Sequence, residues 1–71
     1  MKEKLYDVVI MEIKTRIVDA VVGTNLRSTE DGHRGFYSVE KRVETVLPRI
    51  NEHYMVKVVK AGKFQKGDRL P

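Results

Sequence analysis

The chain has no cysteine and no tryptophan, only two prolines and two histidines, and no long apolar run. Without cysteine it can form neither a disulfide nor a thiolate metal site, which suits a reducing compartment and leads us to expect a cytoplasmic protein. His33 and His53 lie in different segments, and no carboxylate–histidine spacing resembles a metal centre, so neither metal nor cofactor is expected. No stretch approaches the ~18 apolar residues of a membrane span. The opening segment lacks the apolar core and small-residue cleavage site of a signal peptide. Nucleophilic catalysis lacks parts too, since Ser28 and Ser38 stand in no recognised signature. Asp7 and Asp19 would make a carboxylate pair only if the hairpin brought them face to face; isolated strand acids more often mark edge or solvent positions. The expectation is a binding protein, not an enzyme.

What is present suits a small globular domain. Hydrophobic residues make up 41% and charged residues 34%, which is too apolar for a disordered chain. The length allows one domain over 1–71, with 65–71 as a frayed tail. A chain this short buries only about 60% of its unfolded surface, so its stability is marginal without a staple or a partner. The net charge of +4 is unevenly placed. Through His53, nine Lys/Arg balance nine Asp/Glu; beyond it Lys57, Lys60, Lys63, Lys66 and Arg69 stand against Asp68 alone. Such a stretch attracts nucleic acid, phosphorylated ligands or acidic proteins, or serves as edge lysines that discourage strand-to-strand aggregation.

Leu5 to Ile13 is nearly all apolar and rich in β-branched residues, which predicts a central strand with two apolar faces. After the polar break Lys14-Thr15-Arg16, Ile17 to Val22 predicts a second strand paired with the first as a hairpin and ended by Gly23. Ser38 is a good N-cap, Glu40 suits the first turn, and Val39, Val43, Val46, Leu47 and Ile50 form one helical stripe. Pro48 either kinks this helix or breaks it in two. Tyr54 to Lys60 alternates and predicts a third strand. Ala61-Gly62 ends it, Phe64 packs back onto the sheet, and Lys66-Gly67-Asp68 makes a turn before a frayed Leu70-Pro71. The expected fold is α+β, in the order β-β-α-β, with a mainly antiparallel three-stranded sheet ordered 2-1-3 and one helix on one face. One helix covers one face, so the other is expected to be an interface in a homo-oligomer, most simply a symmetric dimer.

The segment Thr24–Ser38 reads as a long polar loop running into a helix N-terminus, where unpaired N–H groups and the helix dipole favour an anion. Gly35 allows close backbone approach, Arg34 can bind phosphate bidentately, and Phe36 or Tyr37 can stack on a base. Asn25 and Arg27 lie on the other limb of the loop, Ser38 stands at the helix start, and Arg42 extends the basic wall. The segment matches neither Gly-x-x-x-x-Gly-Lys-Ser/Thr nor Gly-x-Gly-x-x-Gly. The competing reading is a surface loop whose Phe36 staples the helix start.

Leu5-Tyr6-Asp7-Val8-Val9, Gly35-Phe36, Glu40-Lys41-Arg42-Val43-Glu44-Thr45, Arg49-Ile50-Asn51 and Ala61-Gly62-Lys63 with Gly67-Asp68 together resemble small accessory proteins of tailed bacteriophages. That resemblance implies a host cytoplasm and a non-enzymatic binding role, either on a host protein or on a nucleotide signal of host immunity. The leading expectation is capture of a phosphate-bearing, nucleotide-like ligand by Asn25, Arg27, Arg34, Gly35, Phe36, Tyr37, Ser38 and Arg42, acting by sequestration. The alternative is a protein-interaction module or inhibitor that uses its sheet edge or apolar sheet face. The third reading is nucleic-acid binding through the basic C-terminal stretch.

Overall fold

A computed structural model describes residues 4–32 and 38–71. Three strands, β1 (Tyr6–Glu12), β2 (Val18–Leu26) and β3 (Tyr54–Lys60), form one antiparallel sheet in the order β2-β1-β3. The helix α1 (Val39–Val46) lies between β2 and β3 in sequence. The α+β class, the element order and the strand order agree with the expectation.

The sheet is asymmetric about β1. Its pairing with β3 is regular, running without a shift from Tyr6↔Lys60 to Glu12↔Tyr54. Its pairing with β2 shifts register between Tyr6 and Val8, between Val8 and Val9, and between Ile10 and Met11. Each bulge adds an unpaired residue and bends the strand. The bulges also let β2 place Val18 and Val21 on one face of the sheet and Val22 and Leu26 on the other. Gly23 does not end the strand, which continues to Leu26. A Cβ at Gly23 would lie 2.6 Å from Leu26 Cδ1 and 3.1 Å from Arg42 Cγ, so this glycine makes room for two side chains.

Both faces of the sheet are covered. On one, Val39 and Val43 of α1 pack with Val8, Leu26, Val22 and Val56. On the other, Phe64 and Leu70 pack over Val9, Met11, Val18, Met55 and Val59. The frayed end and the open apolar face expected from sequence are both overturned. The C-terminal segment runs beside the start of β2, with Val18 N–H donating to Asp68 O and Gly67 N–H to Val18 O. Leu70 N–H donates to Arg16 O, and Leu70 is only 5% exposed. Arg16, at φ 63°, turns the hairpin and donates its guanidinium to the carbonyls of Leu70 and Pro71. The face on which the homo-oligomer was expected is thus occupied by the chain's own C-terminal segment.

The helix starts where Ser38 predicts but ends at Val46. Leu47–Arg49 form a separate 3-10 turn with Pro48 in its first positions, because proline has no N–H to continue the α pattern. The turn redirects the chain, and Leu47 is 51% exposed instead of lying in the core stripe.

Asp7 joins the three strands at one end. It is buried in β1; its Oδ1 accepts the Asn25 N–H at 2.9 Å and its Oδ2 the Gly62 N–H at 3.0 Å. Asp19 is exposed on β2, so the two acids form no carboxylate pair.

The docked C-terminus has a direct consequence. Leu70→Ala is expected to lower unfolding free energy by about 2–5 kcal/mol in urea titration, as for a buried leucine. A change within about 0.5 kcal/mol, usual for a surface residue, would show that the segment is not part of the core.

Candidate functional site

The loop expected over 24–38 is built differently. Residues 24–26 belong to β2, and Thr29–Asp31 form a 3-10 turn capped by Ser28. The Ser28 side chain accepts the Glu30 N–H and donates to Glu40 Oε1 at 2.8 Å. Thr29 N–H donates to both Glu40 carboxylate oxygens at 3.0 Å. Glu40 is thus an internal anion at the junction of the turn and the helix start.

Desolvation is the largest single influence on the Glu40 carboxyl and raises its pKa. The Thr29 backbone, the Ser28 hydroxyl, Glu40's own backbone and the Thr29 side chain together outweigh it and hold the pKa below the ordinary value.

The helix-start donors proposed from sequence are already engaged. Val39 N–H donates to Arg27 O at 2.8 Å, closing a parallel bridge between Arg27 and Ser38. Lys41 N–H donates to the buried Ser38 Oγ at 3.2 Å, and Arg42 N–H to Ser38 O at 3.1 Å. Arg42 Nη1 donates to Val22 O at 3.0 Å, so its guanidinium braces β2. Asn25, at φ 53°, is exposed and gives its N–H to Asp7. Arg27 is half-buried. Arg34, Gly35, Phe36 and Tyr37 lie outside the described residues. The structure therefore brings Arg27, Ser38 and Arg42 together as a brace around the helix start, with Asn25, near the end of β2, tied to Asp7 of β1.

No group of three His, Asp or Glu side chains among the described residues is placed to hold a metal ion. No helix among them is long and apolar enough to cross a membrane. A hollow of about 340 Å3 lies between Glu12, Ile17, Asp19 and Lys66. Its charges are mixed, and one of them, Glu12, already accepts the Thr15 hydroxyl at 2.8 Å.

The two sheet edges differ more sharply. On β2, Val18 bonds the C-terminal segment and Val22 O accepts Arg42. On β3, the bonds from Ile13 N–H to His53 O and from Ala61 N–H to Leu5 O fix the phase of the ladder. Residues of an antiparallel pair alternate between bonding the neighbour and facing away. Met55, Lys57 and Val59 therefore face β1, while Tyr54, Val56, Val58 and Lys60 face outward. Tyr54 N–H donates to Asn51 O, and Lys60 O accepts from Lys63. Between them, Val56 and Val58 have no hydrogen-bond partner for their outward N–H and C=O among the described residues.

A second hollow, of about 200 Å3, flanks this edge on the face away from α1; Arg16, Lys57, Lys63 and Phe64 are in its lining. Lys63 Nζ stands 5.7 Å from the Phe64 ring centroid. Val58, on the helix side, is 47% exposed. The sequence named these lysines as a basic stretch but gave no sign that β3, not β2, would be the open edge. That depends on the bulges and on the fold-back of residues 63–70.

No known protein family, curated protein or solved structure matches the chain.

The Glu40 contacts imply a dependence on acid. Because the folded pKa is depressed, this stabilisation is present above the unfolded carboxylate value, about 4.3, and is lost as pH falls through the lower folded value. The Thr29 amide resonance is expected to titrate below pH ~4.3 and to lose that inflection in Glu40→Gln. A midpoint above the ordinary value contradicts the assignment.

Proposed function

We propose that the protein is a binding module that receives an extended segment of a partner protein along the outer edge of β3. The observation that carries this reading is the run from Tyr54 to Lys60, regularly paired with β1 on one side and open at Val56 and Val58 on the other. An edge of this kind is a template for strand addition, with main-chain bonds giving affinity and alternate side chains giving specificity. Phosphate capture at the helix start has less support, because Val39, Lys41 and Arg42 already spend their N–H groups within the fold and Glu40 supplies the anion. In the phage setting that the residue pattern resembles, the partner is a host protein, and the module acts by occupying an extended segment of it.

The test uses peptides selected from a random display library on the intact protein. Strand addition is expected to give contacts from bound peptide to the Val56 and Val58 amides by NMR. N-methylation of the peptide should weaken binding by about tenfold or more at alternate positions and little at the others, since each strand turns every second N–H to its neighbour. Val58→Pro removes an outward N–H without touching the β1 ladder and is expected to weaken binding similarly in a folded chain. Selected peptides that contact another surface, or an N-methyl scan with no period of two, would overturn the reading.

A further inference from the structure

We infer that the segment received by β3 alternates acidic and apolar residues, its acidic side chains over Lys57 and Lys63 and its apolar side chains beside Val56 and Val58. This rests on the strand-addition reading and specifies its partner. The two sides of the open edge differ chemically. Residues Val56 and Val58 share the helix side, with Val58 nearly half exposed. Lys57 and Val59 share the other side, where the 200 Å3 hollow is lined by Arg16, Lys57 and Lys63. No Asp or Glu side chain lines that hollow, Arg16 is already engaged by the main-chain oxygens of Leu70 and Pro71, and Lys57 and Lys63 have no Asp or Glu partner among the described residues.

The ladder phase then sets the partner's pattern. Its residues opposite Val56 and Val58 exchange main-chain bonds and point their side chains to the helix side, where apolar groups extend the Val56–Val58 surface. Its residue opposite Lys57 falls in a non-hydrogen-bonded pair, the closer of the two cross-strand geometries, with side chains about 4.5–5.5 Å apart at Cβ. An Asp or Glu there meets Lys57, and the acid two residues along lies over the hollow beside Lys63. The same lysines disfavour a second copy of this chain, which would bring a like set of cations to the seam. One feature thus rejects self-pairing and selects the partner.

The experiment titrates the full chain with three synthetic peptides, alternating Val with Glu, with Gln or with Lys. Each is N-methylated along its outer edge so that it cannot stack on itself. The Val/Glu peptide is expected to shift the Val56 and Val58 amides with about tenfold or greater preference over Val/Gln at low salt, and the Val/Lys peptide to bind least. The preference should shrink as salt rises. Lys57→Glu combined with Lys63→Glu should reverse the order in favour of Val/Lys; where that variant does not fold, the peptide comparison on the unaltered chain decides. Equal binding of Val/Glu and Val/Gln at the same amides overturns the charge rule and leaves strand addition standing. No shift with any peptide overturns both. Tighter binding of oligothymidylate at these residues makes the occupant a polyanion, and a sedimenting dimer with Val56 and Val58 protected makes it a second copy; either result overturns the proposal.

Discussion

The buried carboxylate of Asp7 fixes how the rest of the chain is laid out. From the central strand it accepts one backbone N–H from the end of β2, at Asn25, and one from the turn after β3, at Gly62. Both are charge-assisted bonds, roughly twice as strong as neutral ones, and both hold residues with positive φ, 53° and 77°. Holding Gly62 directs residues 63–70 across the sheet face opposite α1, where Phe64 and Leu70 complete a core cluster. Holding Asn25 sets where β2 leaves the sheet for the Arg27–Ser38 bridge and the helix start. One strand acid therefore links the two coverings of a three-stranded sheet, which matters in a chain too small to bury a large core.

This layout also determines which edge stays open. The fold-back that covers the second face returns beside β2 and bonds Val18, and the helix on the first face sends Arg42 to Val22. β2 is bulged and occupied at both points, whereas β3 pairs regularly with β1 along its whole length and faces outward at Val56 and Val58. Lys57, Lys60 and Lys63 lie on or beside that strand, whereas Lys66 and Arg69 stand by the start of β2. Lysines on an edge ordinarily suppress aggregation. Here Lys57 and Lys63 stand over a hollow lined by no Asp or Glu side chain, which supports the proposed acidic strand as occupant.

The alternation of Tyr54–Lys60, the β-branched run at 5–13 and the Ser38 cap are local patterns, and they were enough to give the strand order and the helix start. The end of β2 was not legible, because Gly23 reads as a breaker unless Leu26 and Arg42 are known to crowd it. Leu70-Pro71 reads as a frayed tail because what holds it, Arg16 and Val18, lies some fifty residues away. The position of the helix start was legible from Ser38, but the carboxylate held beside it is Glu40 of the same chain. Asp7 could be seen as an acid in an apolar strand; its two backbone donors appear only when β2 and β3 flank it.

Amide hydrogen exchange of the free protein tests the open edge most directly. With β3 unpaired on its outer side, the N–H groups of Val56 and Val58 should exchange fast while those of Met55, Lys57 and Val59, bonded to β1, are protected, giving an alternation along one strand. Uniform protection from Met55 to Val59 would show that the edge is already covered and would contradict the account.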